Sequence, residues 1–286
     1  MVKILDGKKK ADEKITGLRK IASKLSMDAV DVPTLAVVSV GDDEASKVYM
    51  RSKKSDCEKC GFNIKEAHFN DSLSENNLID YIRYLGNDPS VNGIIITTPL
   101  PDKYNESRVM GAIPLEKDID CLNPTSIGLL NMGEATFGPC TPSGIIDLLN
   151  QYEINLESKN CVVIGRSNTV GKPLATMLTK LNANVEICHS YTKNLVEHTK
   201  RADILIVAAG KPGIVDASMV KPGVIAVDVG INRDPETNKI VGDISKDVYE
   251  VAEYITPVPG GIGPMTRATL MSHLLIAYIN QHGEQV

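Results

Sequence analysis

The sequence predicts an α/β protein of two domains built on parallel sheets. A chain of 286 residues is long enough for two domains that each bury a core. Short apolar segments alternate with amphipathic segments along the chain, and strands that alternate with helices pair in parallel. The cores must be largely aliphatic, because the chain has no Trp and only 3 Phe.

The first predicted domain alternates three strands with three helices. The strands are predicted at residues 33–40, 64–69 and 91–97. The helices are predicted at about residues 9–27, between Asp43 and Gly61, and from Ser74 to about Leu85. Ligands of parallel sheets bind outside the carboxyl ends of the strands, where Gly41 and Thr97 lie. A binding site is therefore expected beside the second helix.

This second helix carries a candidate pair of catalytic side chains. Asp42 and Asp43 are its candidate N-caps, and Gly61 is its stop signal. Tyr49 and Lys53 are four residues apart, which places an aromatic ring and an amine on one face of the helix. Taken alone, the spacing also fits a solvated surface pair.

The second predicted domain begins at Thr141 and Pro142, which have the residue types of a helix N-cap and first helical position. Its strands are predicted at residues 160–164, 185–188, 202–209 and 224–229, with a helix at 174–181. After Thr266 a last amphipathic helix is expected to return to the first domain. The predicted domains are residues 1–140 with 267–286, and residues 141–266.

A glycine turn in this second domain is a candidate phosphate site. The strand at 160–164 leads directly into Gly165, and Gly171 precedes the next helix. Gly165 would make the tight turn, Gly171 would allow close helix packing, and free N–H groups at the helix start would attract phosphate. The spacing is not that of the common G-x-G-x-x-G motif, and a ligand-free turn is the alternative. The surrounding alternation favours a Rossmann-like dinucleotide-binding domain.

Charges near the predicted ribose position favour NADP over NAD. An NAD site usually carries an acidic residue at the end of the second strand, whereas this strand ends near Ser190. Arg166 follows the first glycine, and a cation with a hydroxyl suits a 2′-phosphate. Glu186 is the one candidate against this interpretation, but it lies inside the strand.

Composition favours a small, diffusing ligand. The net charge of −5, with acidic and basic residues interspersed, predicts no nucleic-acid partner and no membrane partner. No segment reaches the roughly 18 apolar residues of a membrane span, and the N-terminus lacks a signal sequence, so a cytoplasmic location is expected. Cys57 and Cys60 form a CxxC without a second pair, which predicts a structural role and no metal site.

Several separated motifs resemble the bifunctional methylenetetrahydrofolate dehydrogenase/cyclohydrolase family over essentially the whole chain. They occur in the order that the family has. They are Gly41 with Ala45, Ser46, Tyr49 and Lys53; residues 93–96 with 99–101; residues 117–120; residues 139–142; residues 165–167; residues 228–232; and residues 257–266.

The resemblance implies oxidation of 5,10-methylenetetrahydrofolate by NADP, followed by hydrolysis of the methenyl product to 10-formyltetrahydrofolate. Asp120 would bind the pterin N–H and amino groups, although a helix cap or a surface acid is its plain alternative. Tyr49 would stack on the folate rings. Lys53 would be the general base for water addition, in its neutral form.

The resemblance also implies the remaining ligand contacts. Gly165, Arg166, Ser167 and Ser190 would bind the cofactor, and Ile231 would contact it through its backbone. The glycine-rich residues Pro259, Gly260 and Gly261 would contact the substrate. The two domains should then face each other across a cleft, and a homodimer is expected.

Thr97 departs from the family pattern, which usually has Gln at this position. The resemblance implies that this glutamine positions the lysine amine, and threonine is too short to replace it. A monofunctional dehydrogenase is therefore an alternative to the bifunctional enzyme. Two other interpretations are a dehydrogenase of another small substrate, such as a hydroxy acid or shikimate, and a catalytically silent folate-binding protein.

Overall fold

The computed structural model of the chain describes residues 2–27, 31–41 and 44–283, and of residues 26, 27 and 44–49 the backbone alone. The helices in these ranges are α1 Gly7–Met27, α2 Glu44–Cys60, α3 Glu75–Asn87, α4 Glu106–Met110, α5 Pro124–Met132, α6 Cys140–Gln151, α7 Gly171–Lys180, α8 Leu195–Thr199 and α9 Ile262–His282. The strands are β1 Lys3–Ile4, β2 Thr34–Val40, β3 Asn63–Phe69, β4 Gly93–Ile96, β5 Asn160–Ile164, β6 Asn184–Cys188, β7 Ile204–Val207, β8 Ile225–Asp228, β9 Asn232–Arg233, β10 Ile240–Val241 and β11 Tyr254–Ile255.

The chain divides into two compact units. The three-stranded unit contains Asp12–Cys140 and the residues from Arg267 onward, and the six-stranded unit contains the residues up to Ala11 and Thr141–Thr266. The sequence placed the first residues of the chain in the other domain, and this was wrong for residues up to Ala11. The reason is β1, whose two residues pair in parallel with Tyr254 and Ile255 of β11. A strand of two residues is too short to show any hydrophobic period.

The three-stranded unit is built on the parallel sheet β3-β2-β4. Every residue of the central strand β2 is buried, as expected for a parallel sheet covered on both faces. Leu35 and Val37 belong to one apolar cluster, with residues of α1, α2 and α9, and Ala36 and Val38 belong to another that includes α3. Alternation along the strand therefore supplies two cores, one on each face.

The six-stranded unit contains a parallel sheet with the strand order β1-β11-β8-β7-β5-β6. The chain moves from β5 to β6 on one side and then returns to β7 on the other side of β5. The connections that leave β5 and β7 therefore run in opposite directions, and this opens a crevice at the carboxyl ends of these two strands. The crevice of this sheet therefore lies where β5 and β7 end, next to Gly165 and Ala208.

Local capping signals give several helix ends correctly. The Ser74 side chain accepts a hydrogen bond from the Asn77 N–H and caps α3 as predicted. Gly61 follows α2 with φ of 74°, the left-handed conformation that glycine adopts at helix ends. The predicted caps Asp42 and Asp43 lie outside the described residues.

Two predicted helix starts were wrong. Helix α6 begins at Cys140 rather than after Thr141, because a distant carboxylate accepts the Cys140 N–H in place of a local cap. Helix α9 begins at Ile262 rather than after Thr266, so that Pro264 lies in its first turn, where a missing N–H costs little. No helix among the described residues is long and apolar enough to cross a membrane.

Candidate active site

The glycine turn of the six-stranded unit is shaped by close backbone contact. Gly165 follows β5 with φ of 125°, and a Cβ added to it would lie 2.3 Å from the Ala208 carbonyl oxygen beyond β7. A Cβ added to Gly171 would lie 2.1 Å from the Gly165 carbonyl oxygen. Side chains are therefore excluded at both positions, and the start of α7 packs directly on the turn.

Ser167 binds the backbone N–H groups at the start of the helix that follows this turn. Its Oγ accepts hydrogen bonds from the N–H groups of Val170 at 3.1 Å and Gly171 at 3.4 Å, and its carbonyl oxygen accepts from Lys172 at 3.1 Å. The sequence predicted free N–H groups at this helix start, and in this conformation these three are occupied. Phosphate attraction at the turn must then come mainly from Arg166, which is exposed.

Arg166 and the end of β6 lie close together. The Arg166 guanidinium is 5.5 Å from the centre of the Tyr191 ring, and Tyr191 is the neighbour of the exposed Ser190. Glu186 accepts hydrogen bonds from His198 at 2.6 Å and Arg201 at 3.3 Å inside the strand. The carboxylate is thus paired, and the Arg166 cation lies near the end of β6, where Ser190 carries a hydroxyl.

Two buried aspartates fix the loops beyond β7 and β8; sequence reasoning missed Asp243 and placed Asp228 in a family motif without a role. Asp243 is fully buried and accepts hydrogen bonds on both oxygens, from three backbone N–H groups and one side-chain amide. The donors are Ala209, Gly210, Lys211 and Asn232, at 2.7 to 2.9 Å. Asp228 accepts from the N–H groups of Gly230, Asp243 and Ile244 at 2.8 to 2.9 Å. The glycine before Asp243 was the available signal, since a Cβ there would overlap Asp228.

Ile231 and the glycine-rich segment line one small cavity in the same unit. The cavity has a volume of about 100 Å³ and is bordered by Pro259, Gly260 and Gly261. Ile231 is 69% exposed, which is unusual for an isoleucine that follows a buried strand. The structure therefore brings Ile231 together with the three residues that the sequence assigned to the substrate.

In the three-stranded unit, Lys53 is buried next to Asp120. Lys53 lies in α2 and is only 4% exposed. Burial lowers the pKa of its amine, and the charge of Asp120 opposes that shift. The half-buried Asp120 carboxylate accepts the Cys140 N–H at 2.8 Å, so it also caps α6. The helix-cap interpretation of Asp120 is correct, and one of its oxygens is already in use.

A buried ion pair, also missed from the sequence, lies one turn beyond Lys53. Asp56 of α2 is 3% exposed, and Arg267 of α9 binds both of its oxygens through Nε, at 3.1 and 2.8 Å, and donates a further hydrogen bond through a terminal nitrogen. The two residues are 211 positions apart, so no local pattern connects them. A single arginine in an otherwise apolar part of α9 was the only signal.

The other predicted residues of this region are only partly placed. Thr97 directly follows β4, is 4% exposed, and donates its N–H to the Val38 carbonyl oxygen at 2.9 Å. Tyr49 lies in α2 four residues before Lys53, but its side chain is outside the described part of the chain. Of the predicted pairing of the Tyr49 ring with the Lys53 amine, the structure therefore shows only that both residues lie in one helix.

Fold and site define a class of protein, an enzyme in which one unit has a dinucleotide-binding α/β sheet and the other a buried lysine and carboxylate. Residues 5–120 match the family model of the tetrahydrofolate dehydrogenase/cyclohydrolase catalytic domain. Residues 139–282 match that of the tetrahydrofolate dehydrogenase/cyclohydrolase NAD(P)-binding domain. The chain belongs to the tetrahydrofolate dehydrogenase/cyclohydrolase family.

Individual relatives resemble the chain over nearly its full length. The bifunctional protein FolD of Bacillus subtilis is 45% identical over 94% of this chain and 95% of its own. The bifunctional FolD dehydrogenase/cyclohydrolase of Campylobacter jejuni has a crystal structure with a TM-score of 0.95, 43% identity, and coverage of 98% of this chain and 99% of that one. The Trypanosoma brucei enzyme, crystallised with NADP and an inhibitor, has a TM-score of 0.92 and 30% identity, with 98% of each chain covered.

Replacing Asp243 by Asn should destabilise the six-stranded unit. An amide has one acceptor oxygen, so its NH₂ group would face two N–H donors that now bind the carboxylate. We expect the free energy of unfolding to fall by about 3 kcal/mol, measured by urea denaturation. Asp234→Asn is the control, because Asp234 accepts similar N–H groups in an exposed turn. Equal stability of the Asp243 variant and the parent would contradict the anchoring role.

Proposed function

We propose that the chain oxidises 5,10-methylenetetrahydrofolate with NADP and hydrolyses the resulting 5,10-methenyltetrahydrofolate to 10-formyltetrahydrofolate. The observation that carries this proposal is the buried Lys53 beside Asp120 in a chain that matches both family models. A base with a lowered pKa and a carboxylate that orients the substrate are what the hydrolytic step requires. The names of the relatives, which join both activities, support the same conclusion.

Asp120 is proposed to orient the pterin. A carboxylate has about four acceptor positions, so the hydrogen bond from Cys140 leaves room for two more donors. The capping contact also fixes the rotation of the carboxylate, which restricts the positions that those donors can take. Tyr49, in the preceding turn of the Lys53 helix, is proposed to stack on the folate rings.

Lys53 is proposed to accept the proton in the hydrolytic step. As a water oxygen attacks the methenyl carbon, the neutral amine takes one proton from that water and leaves a neutral hydroxyl adduct. The adduct opens to the formyl product when the bond between that carbon and N5 breaks, with N5 gaining a proton and the hydroxyl group losing one. Burial supports this role because it favours the neutral form of the amine. The positive charge of a methenyl substrate nearby would lower the pKa further, so binding itself would prepare the base.

NADP is proposed to bind the six-stranded unit at the crevice between β5 and β7. The turn fits the cofactor, because Gly165 and Gly171 let α7 begin directly on it, Arg166 is exposed there, and the Glu186 carboxylate of β6 is paired. Arg166 and Ser190 would bind the 2′-phosphate. Ser167 and the backbone of Ile231 would complete the contacts to the cofactor. When bound, the nicotinamide supplies the hydride acceptor.

Pro259, Gly260 and Gly261 are proposed to contact the substrate, as the family resemblance implies. Their cavity also includes Ile231, which supports a position next to the cofactor in the same unit. We further propose that the chain acts in the cytoplasm as a homodimer, in keeping with its family. It would use no metal, nucleic acid or membrane partner.

A second candidate function is a dehydrogenase with little hydrolytic activity, and Thr97 favours it. Thr97 is buried at the carboxyl end of β4, where a glutamine would extend farther toward a ligand. Hydride transfer depends on alignment of substrate and cofactor and needs no such side chain. The two functions therefore differ in the ratio of hydrolysis to oxidation.

Replacing Lys53 by Met tests the proposed function directly. We expect hydrolysis of 5,10-methenyltetrahydrofolate to fall by about 100-fold or more, because general base catalysis is lost, while oxidation retains a much larger share of its rate. Absorbance of the methenyl compound and of NADPH, followed in one assay, separates the two steps. Lys54→Met is the matched control, since that amine is exposed beside Glu66. Hydrolysis at the parental rate would remove Lys53 from the mechanism.

Replacing Arg166 by Ala should weaken binding of NADP selectively. The lost contact is a hydrogen bond to a charged phosphate, worth about 1.5 to 3 kcal/mol, and NAD has no phosphate at that position. Titration calorimetry with both cofactors measures the difference, with the exposed Arg233→Ala variant as control. If affinity for NAD falls as much as affinity for NADP, Arg166 does not contact the 2′-phosphate.

Replacing Thr97 by Gln should raise the ratio of hydrolysis to oxidation by roughly tenfold, since about 1.4 kcal/mol of better positioning is sufficient. The same two-wavelength assay gives the ratio. Thr97→Val, which keeps the bulk without the hydroxyl group, controls for repacking at this buried position. An unchanged or lower ratio in the glutamine variant would show that another group already positions Lys53.

A further inference from the structure

Asp56 is placed where it would normally stabilise the charged form of Lys53. The two residues are three positions apart in α2, which brings their side chains to neighbouring places on one face of the helix. Both are buried: Lys53 has 4% and Asp56 has 3% of its surface exposed. A buried carboxylate next to a buried amine ordinarily favours the ammonium form of the amine. Asp56 would therefore oppose the neutral amine that the proposed reaction needs.

Arg267 neutralises that carboxylate. Its guanidinium binds Asp56 through Nε and a terminal nitrogen, and contacts both carboxylate oxygens. A planar guanidinium suits this arrangement better than a lysine ammonium does. The Arg267 side chain is 41% exposed, so in this pair mainly the arginine contacts water. The pair as a whole has no net charge.

The charged and titratable groups that act on Lys53 come from four elements or segments. Asp56 belongs to α2, like Lys53 itself; Asp120 lies in the segment before α5, Cys140 in α6 and Arg267 in α9. Burial keeps the pKa of the Cys140 thiol well above its usual value, so this group is neutral. The fixed charges are then Asp120, Asp56 and Arg267. Arg267 is the cation among them that opposes the ammonium form.

We infer that Arg267 is a positioning residue for the hydrolytic step: by binding both oxygens of Asp56, it removes that carboxylate as a counterion of Lys53 and keeps the amine neutral. This inference rests on the proposed function of Lys53 as a base. It adds a residue whose proposed effect on Lys53 is exerted through Asp56. Asp120 remains as the counterion for the ammonium that forms during the reaction.

Three variants separate the charges. Arg267→Met leaves Asp56 unpaired beside Lys53 and should raise the pKa of Lys53 by about one unit or more. Asp56→Asn leaves the guanidinium alone and should lower that pKa. The double variant Asp56→Asn/Arg267→Met removes both charges and should restore a value close to that of the parent. Arg83→Met is the control, because Arg83 pairs with Asp80 on an exposed face of α3.

The pKa of Lys53 is measured without any substrate, by NMR titration of the full chain labelled with ¹³C-lysine. The Lys53 signal is identified by its absence in Lys53→Arg. The second readout is the pH dependence of kcat/KM for hydrolysis of 5,10-methenyltetrahydrofolate. Hydrolysis needs the neutral amine, so its acid limb should move to higher pH in Arg267→Met. If the pKa of Lys53 is higher by one in Arg267→Met, kcat/KM of the variant should be about tenfold lower than that of the parent at any pH well below this pKa.

The opposite shifts of the two single variants, with recovery in the double variant, would support the inference, and a purely structural ion pair would not produce them. An unchanged Lys53 pKa in Arg267→Met, or in Asp56→Asn if the former does not fold, would overturn it. If the titration shows the expected shifts but Lys53→Met hydrolyses at the parental rate, the proposed function of Lys53 fails while the electrostatic inference stands.

Discussion

The burial of one amine constrains the three-stranded unit more than any other single feature. Removing an ammonium from water is costly, so the charge state of Lys53 in the interior depends on the groups that surround it. Those surroundings come from distant parts of the chain: Asp120 precedes α5, Cys140 begins α6, and Arg267 lies on α9. Packing of α9 against the sheet, through residues such as Met271 and Leu274, therefore serves the electrostatics of the site as well as the core.

The two units use buried carboxylates in different ways. In the six-stranded unit, Asp228 and Asp243 accept backbone N–H groups and hold the ends of loops that carry few apolar side chains. In the three-stranded unit, Asp56 and Asp120 lie next to cationic side chains, where their charge matters as well as their hydrogen bonds. The first arrangement fixes the backbone near the predicted cofactor position, and the second influences the pKa of Lys53, the proposed proton acceptor. Both satisfy the requirement that buried charges be paired.

Local chemistry made part of this structure predictable. The Ser74 cap, the glycine after α2 and the apolar strands β2, β4 and β5 each depend on a few neighbouring residues, and sequence reasoning found them. Features that join distant residues were not visible. The cap of α6 comes from Asp120, 20 residues earlier, and the partner of Asp56 is 211 residues away. Periodicity carries no record of such pairs, so the electrostatics of the candidate site had to come from the structure.

The short strand β1 has a consequence for how the chain is made. Its partner β11 ends at Ile255, and α9 completes the other unit with the last segment of the chain. Neither unit is a continuous stretch of sequence. During synthesis, β1 cannot pair until Tyr254 and Ile255 of β11 have been made, and the three-stranded unit lacks α9 until later still. A cut before Thr141 would separate β1 from β11 and α9 from the sheet it packs on, so each unit depends on residues from both sides of that boundary.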